Sequence, residues 1–398
     1  DIVKQFLEKI KSESSPVLNN KNSNRIKAPL PLGISSAGVV KQVHASLNQW
    51  TPGERVACVG YGYASHAETV FVPTNLAAKI PDNVSFEEAS FVTFGAIAMQ
   101  GVRIADTRLG ETVAVMGLGL LGQITCMLLA ASGCRVLGVD IDHSKFNLAT
   151  KSGSEATFAI DGSEVSKFMD YTAGKGVDAV IITTTSESPN YIETAGQICR
   201  EKGRVVVVGT GKMEISPKAF YEKELELRIS RSYGPGRFDY NYEEAGRDYP
   251  YGYVRFTESR NMESFLRLIS LGRINVKELI THRFDISDAE KAYELISEST
   301  TDNFLGVILN YPEKDDRPIE YAATPNIQQV RLKQSSKLGI GLIGAGEFAT
   351  TVLLPHLAQI KNFEPVCIMS GSGISASAAA GKYNFRKTAS TLNEIMED

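Results

Sequence analysis

One glycine-rich segment constrains the fold of this chain more than any other feature of the sequence. Residues 117–122 read Gly-Leu-Gly-Leu-Leu-Gly, directly after the apolar run TVAVM and before a stretch with apolar residues at helical spacing. This order predicts a strand, a tight turn and a helix. In such a turn Gly117 permits the bend, Gly119 lets the backbone approach a ligand, and Gly122 lets the helix pack closely on the strand.

The same segment predicts a dinucleotide-binding site. The free N–H groups at the helix start, around Leu120 and Leu121, together with the positive end of the helix dipole, would receive phosphates. Asp140 ends the next predicted strand, 18 residues beyond Gly122, close to the offset at which a carboxylate binds the adenosine ribose. Because Asp140 would repel a 2′-phosphate, we expect NAD; NADP stays open because Lys145 follows closely. The alternative is a glycine turn that serves packing alone.

Strand-like and helical segments alternate around this turn. The runs of strand length are TVAVMG, RVLGVD, ATFAI, VDAVIIT, RVVVVG and LELRIS, and helix-compatible segments lie between most of them. Continuous apolar strands that alternate with helices predict a parallel sheet with helices on both faces. The fold class is therefore expected to be α/β, with a doubly wound sheet.

Upstream of this sheet the pattern changes to short β-rich runs. The runs GVVKQV, ERVACVG, AETVFVP and AAKI are separated by glycine, proline and asparagine, which predicts an antiparallel β unit. Residues 85–105 carry acids in their first turn and predict one helix, and residues 1–15 predict a short amphipathic helix.

Charge and cysteine usage exclude several classes of partner and site. The net charge is only -4, so no basic field is available for nucleic acid or an anionic membrane. Residues 112–134 form an uncharged run long enough to span a bilayer, but the glycine turn explains its glycines, and no membrane partner is expected. The N-terminus does not read as a secretory signal. The cysteines stand singly, which argues against a disulfide framework and favours the cytoplasm.

Several segments resemble the medium-chain alcohol dehydrogenase/quinone reductase superfamily over roughly residues 30–312. They are GERVACVGYGYASHAETVFVP, LGETVAVMGLGLLGQ, GRVVVVGTG and LITHRFDISDAEKAYELI. The resemblance implies a GroES-like β domain that supplies the catalytic half and a six-stranded Rossmann domain that binds a nicotinamide cofactor. It also adds Gly209, in GRVVVVGTG, to the expected cofactor-binding residues.

On this resemblance the chain divides into five parts. Residues 1–109 form the GroES-like part, expected to be incomplete at its N-terminus, and residues 110–260 form the Rossmann domain. Residues 261–312 return to the catalytic part, and residues 313–337 have the composition of a linker. Residues 338–398 begin a second Rossmann domain, which we expect to be incomplete because a single strand-turn-helix start cannot cover both faces of its sheet.

The expected catalytic half lacks the zinc ligands of the zinc-dependent members. Ile34 and Ser35 stand where those members carry His and Glu, and Thr93 stands near the position of a Cys. Neither Ile34 nor a serine hydroxyl is a plausible zinc ligand, so no metal site is expected. Hydrogen-bond donors and a proton donor would then do the chemistry, and the catalytic candidates are Tyr63, His66 and Thr93.

A segment rich in tyrosine and arginine, residues 233–260, follows the last predicted strand of the sheet. Tyrosine rings stack on sugars, and arginines hold phosphate or carboxylate by paired hydrogen bonds, so the segment suits a sugar or an anionic substrate. An interface between subunits or domains explains the composition equally well.

A second glycine motif follows the run LGIGLI. Gly344 and Gly346 occupy the first two glycine positions, and Ala349 takes the third. With LLPHL in the following helix, this start resembles the glucose-fructose oxidoreductase family. The matching strand ends at Ser370 instead of an acid, which leaves its cofactor preference open, and the unit is too short to work alone.

The order of the two units resembles bi-domain oxidoreductases associated with surface-polysaccharide metabolism. We therefore expect a zinc-independent NAD(P)-dependent oxidoreductase that transfers hydride to or from a sugar-like carbonyl or alcohol, with the run LELRIS as the edge through which it would form a homo-oligomer. One alternative is an NADPH-dependent quinone or enone reductase. The other is a non-catalytic NAD-binding scaffold domain of a larger enzyme, which the scarcity of acid-base residues keeps open.

Overall fold

The computed structural model describes most of the chain beyond residue 30. The described residues are 31–184, 190–209, 213, 215, 217–297, 304–312, 338–360, 362–371 and 373–396. They belong to two compact units, a larger one from Pro31 to Tyr311 and a smaller one that contains the described residues from Pro312 onward. The helix predicted over residues 1–15 and the linker predicted over 313–337 lie outside the described residues.

The larger unit begins with a small antiparallel sheet, as the sequence predicts. Its strands lie in the order β1 Ser35–Val39, β2 Arg55–Val59 and β3 Ala77–Lys79. The prediction of a strand at AETVFVP is wrong, because Phe71 in this run is 83% exposed and the chain there has no strand pairing. The third strand lies in AAKI, another of the predicted runs, whose Ala78 and Ile80 are buried.

Two helices follow, where the sequence predicts one. They are α1 Phe86–Ala89 and α2 Val92–Ala105. Ser85 starts α1 with a capping box, in which its hydroxyl accepts from the amide of Glu88 and the Glu88 carboxylate accepts from the amide of Ser85. The chain bends at Ser90 before α2 begins.

The centre of the larger unit is a six-stranded sheet in which every neighbouring pair is parallel. The strands are β4 Thr112–Met116, β5 Arg135–Asp140, β6 Ser154–Ala159, β7 Val177–Ile182, β8 Cys199–Val207 and β9 Glu226–Ile229. Their order is β6-β5-β4-β7-β8-β9, so the direction of winding reverses between β4 and β7. This is the doubly wound arrangement that the alternating pattern predicts, and ligands bind such sheets at the carboxyl ends of the strands near the reversal.

Helices cover both faces of this sheet. They are α3 Leu120–Ala131, α4 Phe146–Lys151, α5 Glu164–Tyr171, α6 Asn190–Ile198 and α7 Pro217–Glu222. Along β4, Val113 and Val115 pack in the core that includes α2 and α3, whereas Ala114 and Met116 pack in the core that includes α5 and α6. The uncharged run over residues 112–134 is thus a strand, a turn and a 12-residue helix. In the part of the chain that the structure describes, no helix is both long and apolar enough to cross a membrane.

After the sheet, the chain returns to the small β unit. The elements are α8 Tyr240–Glu243, α9 Glu258–Ser270, β10 Ile280–Asp285, α10 Ala289–Ser297 and β11 Gly306–Asn310, with β10 and β11 parallel. Helix α9 packs on α2, where Gly95 leaves room for the ring of Phe265: a Cβ there would overlap it.

The smaller unit has its own three-stranded parallel sheet. The strands lie in the order β12 Leu338–Ile343, β13 Phe363–Met369 and β14 Lys387–Ala389, with helices α11 Leu354–Leu357, α12 Ile374–Tyr383 and α13 Leu392–Met396. Its core includes Leu354, Ile368, Ala376 and Phe385.

Candidate active site

The glycine turn lies at the carboxyl end of β4, next to the reversal in the sheet. Gly117 has φ +100°, a left-handed conformation that glycine adopts readily, and its amide donates to the carbonyl of Val139 at 2.8 Å. A Cβ at Gly122 would overlap the Gly117 carbonyl oxygen, so α3 packs against the turn only because residue 122 is glycine. A Cβ at Gly119 would meet no atom within 4 Å. The turn is therefore closely packed at its first and third glycines and open at its second.

Helix α3 begins at this open position. Gly119 is the N-cap, and no side chain caps the helix. The first amides of a helix have no intrahelical partner and carry the positive end of its dipole, so the amides near Leu120 and Leu121 are donors suited to a diphosphate. Because the N-cap residue Gly119 has no side chain, a ligand can approach the backbone closely.

Asp140, at the end of β5, is bonded directly to the glycine turn. One carboxylate oxygen accepts from the amide of Leu118 at 2.6 Å, and the other accepts from the amide of Asp142 at 2.8 Å. The Nζ atom of Lys145 lies 3.6 Å from an oxygen of Asp140 and 3.6 Å from an oxygen of Asp142. The predicted acid thus lies beside the turn, and Lys145, whose position the sequence left open, faces it.

The ends of the next two strands meet this turn. Thr183, after β7, donates its hydroxyl to the carbonyl of Gly117 at 2.6 Å. A Cβ at Gly209, after β8, would overlap the carbonyl oxygen of Thr184. Gly209 thus allows two strand ends to approach each other. Sequence reasoning missed Thr183, although a threonine directly after a buried strand at the carboxyl edge is a usable signal.

Thr93, a predicted catalytic residue, lies inside the protein. Its hydroxyl donates to the carbonyl of Ile34 at 2.9 Å and its side chain is fully buried. The neighbouring Ser35 donates its hydroxyl to the carbonyl of Ser90 at 2.7 Å. The structure thus brings Thr93, Ile34 and Ser35 together, as the family resemblance requires, but it commits both hydroxyls to backbone carbonyls.

His66 faces a different partner. Its Nδ1 atom lies 2.8 Å from the hydroxyl of Tyr293 on α10, within hydrogen-bond distance, and its ring lies against Gly33, where a Cβ would overlap it. Burial lowers the pKa of His66 from its ordinary value of 6.5 and raises that of Tyr293 from 10.0. The imidazole is therefore neutral at pH 7. Tyr293 carries no sequence signal because it is 227 positions from His66.

Tyr63, the third catalytic candidate, lies against the segment rich in tyrosine and arginine. Burial raises its pKa, and the carboxylates of Glu244 and Glu243 raise it further. The segment is anchored to the small β unit by Asn75, whose amide donates to the carbonyl of Tyr242 at 2.8 Å. Tyr63 and His66 thus share one connection after β2 but contact different parts of the fold.

The tyrosines of that segment divide between core and surface. Tyr233 and Tyr242 are buried, and the hydroxyl of Tyr242 donates to Thr257 at 2.7 Å. Tyr240 and Tyr253 are exposed. Packing therefore explains part of this composition, and the exposed rings stay available for a substrate or a partner.

The second glycine turn, in the smaller unit, has the backbone geometry of the first. Gly344 has φ +99°, and its amide donates to the carbonyl of Met369 at 2.9 Å. A Cβ at Gly346 would meet no atom within 4 Å. The helix predicted from TTVLLPHLAQI is not regular, because residues Ala349–Leu353 form a wider π-helical turn before α11 begins.

No group of three or more His, Cys, Asp or Glu side chains that could hold a metal ion occurs among the described residues. The described cysteines are buried and form no disulfide bond, and burial raises the pKa of Cys58 to about 12. Cys58 is thus poorly suited to act as a thiolate at neutral pH.

Two protein-domain families match the chain. Residues 12–82 match the alcohol dehydrogenase GroES-like domain, and residues 121–245 match the zinc-binding dehydrogenase domain. The first match begins at residue 12, upstream of residue 30, where the resemblance seen in the sequence begins. D-xylulose reductase A of Aspergillus niger is 26% identical over 305 residues, which cover 68% of this chain and 78% of that protein.

Solved structures share the fold. The alcohol dehydrogenase from Thermus sp. ATN1 aligns with a TM-score of 0.59 at 19% identity, covering 72% of this chain and 86% of that one. Galactitol-1-phosphate dehydrogenase from Escherichia coli aligns with a TM-score of 0.56 at 18% identity, with the same two coverages of 72% and 86%.

The GroES-like unit, the doubly wound sheet and the glycine turn define an oxidoreductase that uses a nicotinamide dinucleotide, NAD or NADP. Within that class, residues 12–82 and 121–245 are similar to the two domains of the alcohol dehydrogenase family.

Proposed function

We propose that this chain is a zinc-independent, NAD-preferring oxidoreductase that transfers hydride to or from the carbonyl or alcohol of a sugar-like molecule. The observation that carries the proposal is the bond between Asp140 and the backbone of the glycine turn. It sets a carboxylate for a ribose beside the amides for a diphosphate. A bound nicotinamide supplies the hydride chemistry, and the protein supplies binding and orientation.

The residues at the carboxyl edge of the sheet fit this cofactor. The amides near Leu120 and Leu121 would hold the diphosphate, and the open side of Gly119 allows the approach. Asp140 would accept hydroxyl groups of the adenosine ribose, since a carboxylate oxygen accepts more than one hydrogen bond. Lys145, close to Asp140, moderates the repulsion of a 2′-phosphate, so the preference for NAD is expected to be partial.

A catalytic zinc ion does not fit the residues present. Ile34 has no ligand atom in its side chain, and the hydroxyls of Ser35 and Thr93 are already donated to carbonyl oxygens. Zinc requires imidazole, thiolate or carboxylate ligands, and neutral hydroxyls are poor substitutes. The reacting oxygen of the substrate must then be polarised by hydrogen-bond donors of the protein.

We propose that His66 and Tyr293 handle the proton. The neutral imidazole can accept the hydroxyl proton of an alcohol, and the neighbouring Tyr293 hydroxyl orients the ring. Because burial lowers the pKa of His66, the base form persists below pH 6.5. Alcohol oxidation is expected to stay constant above pH 7 and to fall only at lower pH, through a pKa below 6.5. A pH profile of the His66→Gln variant that equals the wild-type profile would contradict this assignment.

The relatives favour a sugar substrate, since those named above are a D-xylulose reductase and a galactitol-1-phosphate dehydrogenase. The second glycine turn is consistent with the start of a fused sugar-dehydrogenase-like unit, which supports a role in polysaccharide metabolism. A cytoplasmic location remains part of the proposal. Strand β9 lies at the edge of the large sheet, so its run LELRIS is the proposed surface for a homo-oligomer.

The test compares Asp140→Ala with the control Asp170→Ala, an exposed carboxylate on α5. Loss of charge-assisted hydrogen bonds is expected to weaken NAD binding by about 10- to 100-fold and to raise the relative use of NADP, with no change in the control. Binding is measured by calorimetry, and turnover with xylitol and D-xylulose is measured before and after treatment with a chelator.

Each outcome of this test separates the proposal from its rivals. Activity that is lost on chelation and restored by zinc contradicts zinc independence. Turnover of conjugated ketones with NADPH, but of no alcohol or sugar, indicates a quinone or enone reductase. Tight NAD binding without activity on any alcohol, ketone or sugar indicates a scaffold.

A further inference from the structure

The loop over residues 230–238 leaves the large sheet at the edge where the cofactor would bind. All six strands are parallel, so the end of β9 lies at the same carboxyl edge as Gly117 and Gly209. Asp140 lies on one side of the reversal, and β9 lies on the other, three strands from β4. An adenosine at Asp140 places the nicotinamide half of a dinucleotide on the side of β7, β8 and β9. Arg231, two residues after β9, is therefore on the side where the reaction would take place.

This loop has an unusual backbone. Ser232 has φ +51° and Phe238 has φ +66°, in the left-handed region that non-glycine residues rarely adopt, and Gly234 and Gly236 have φ +113° and +108°. Left-handed non-glycine residues are strained and persist only where the surrounding structure holds them. The loop is thus held in one shape.

Contacts with buried residues of the surrounding helices hold the loop in place. The side-chain amide of Asn261 donates to the carbonyl of Tyr233 at 2.9 Å, and the amide of Glu258 donates to the carbonyl of Pro235 at 2.9 Å. Arg237 pairs with Glu243 at 2.6 Å, and both side chains are largely buried. The loop is therefore preorganised before any ligand binds, which reduces the entropy cost of binding.

Arg231 and Arg237 differ in whether a carboxylate pairs with the guanidinium. Both Arg231 and Arg237 stack on the ring of Phe238, at 4.3 Å and 3.8 Å from its centre. Arg237 is neutralised by Glu243, whereas within the described residues no carboxylate pairs with Arg231, whose side chain is exposed. The hydroxyl of the adjacent Ser230 is buried and has no hydrogen-bond partner there. An exposed guanidinium without a carboxylate partner in the described part of the chain is thus held against the ring of Phe238.

From this placement we propose that Arg231 binds an anionic group of the substrate, a carboxylate or a phosphate, so that the substrate class is an acidic sugar or a sugar phosphate. Guanidinium groups bind both anions through paired hydrogen bonds. Stacking on Phe238 limits the side chain to few orientations. The proposal rests on the proposed function, because it assigns the substrate class of the same site.

The experiment measures NAD(H)-linked turnover of matched neutral and anionic sugars by the full-length protein. The pairs are D-xylulose with D-xylulose 5-phosphate, and D-glucose with D-glucuronate, so the two anion sources are tested separately. The variants are Arg231→Gln, Arg231→Lys and the control Arg108→Gln. Arg108 is an exposed arginine before β4, at the opposite edge of the sheet, and its removal changes the net charge equally.

We expect the wild-type protein to prefer one anionic sugar over its neutral partner. Loss of a charge-assisted pair predicts that Arg231→Gln lowers kcat/KM for that anion by about 10- to 100-fold, while the neutral sugar and the affinity for NAD change little. Arg231→Lys should recover part of the loss, because lysine keeps the charge but not the paired geometry. Arg108→Gln should behave as wild type.

Three results would overturn the proposal. If the protein turns over neutral sugars as efficiently as the anionic ones, the proposed function stands but Arg231 does not form an anion site. If the Arg231 and Arg108 variants lose equal amounts of kcat/KM for the anionic sugar, the effect comes from the change in net charge and not from a binding site. A loss of NAD affinity alone assigns Arg231 to the cofactor.

If the protein turns over no sugar at all, the proposed function is contradicted. The affinity for anions then tests whether Arg231 forms an anion site. Calorimetry with the NAD-loaded protein measures the affinity for D-glucuronate and for inorganic phosphate. Binding that is weakened in Arg231→Gln but not in Arg108→Gln supports the anion site, and binding that is absent or unchanged overturns it.

Discussion

At the scale of single residues, the acid Glu258 in the first turn of α9 lies in an environment that disfavours its charge. It is 0% exposed, and neither of its carboxyl oxygens has a hydrogen-bond partner within the described residues. Burial raises its pKa to about 9, and the neighbouring Glu243 contributes to the rise. Glu258 is therefore neutral at pH 7, since an isolated buried carboxylate would be too costly.

This raised pKa predicts a stability that depends on pH. The folded protein holds the proton up to about pH 9, whereas the unfolded chain releases it near the ordinary value of 4.5, so stability is full below pH 4.5 and falls as the pH rises towards 9. Glu258→Gln removes this loss. The variant should gain on the order of 2–4 kcal/mol over wild type between pH 5 and pH 8 in urea unfolding.

The control for this prediction is Glu222→Gln, an exposed carboxylate on α7. It should follow the wild-type dependence of stability on pH. The assignment of a neutral Glu258 fails if Glu258→Gln also follows that dependence.

At the scale of elements, the connection between β4 and α3 shows how three glycines of one turn serve different purposes. A Cβ at residue 122 would overlap backbone, whereas a Cβ at residue 119 would meet no atom within 4 Å. The third glycine is thus required by packing, and the second is required only by an approaching ligand. Comparison of the two positions separates folding from binding.

Gly122→Ala should lower the free energy of unfolding by about 1–3 kcal/mol, because the helix must move away from the turn. Gly119→Ala should change stability by about 0.5 kcal/mol or less, since its φ of -67° suits alanine, yet it should weaken NAD binding. Thermal unfolding and calorimetry measure the two effects. Full NAD affinity in Gly119→Ala would show that the turn serves packing alone.

At the scale of the whole molecule, two similar glycine turns belong to different sheets. The first lies beside the reversal of a six-stranded sheet, with strand ends on both sides. The second belongs to a sheet that has three strands in the described part of the chain. A dinucleotide needs two mononucleotide-binding halves, and three strands supply one of them.

The six-stranded sheet is therefore expected to bind one dinucleotide, and the three described strands of the smaller unit are expected to bind none. Titration of the full-length protein should give a stoichiometry close to one, which Gly122→Ala should reduce and Gly346→Ala should leave unchanged. A stoichiometry of two, with one site lost in Gly346→Ala, would show that the second turn binds a dinucleotide by itself.

Much of the cofactor site could be predicted because it depends on residues close in the chain. Gly117, Gly119 and Gly122 lie within one turn, and Asp140 ends the next strand, where the regular geometry of a βαβ unit brings it to the turn. The contribution of Lys145 could not be predicted, because the direction of a long side chain depends on local packing.

What the sequence alone determined is the class of fold and the position of the dinucleotide turn, because hydrophobic period and glycine spacing act over a few residues. The tertiary structure decided which distant groups meet. It placed the Thr93 hydroxyl on the Ile34 carbonyl, set Tyr293 beside His66, and left Arg231 without a carboxylate partner among the described residues. Contacts between residues far apart in the chain result from the packing of whole elements, and local sequence patterns do not encode them.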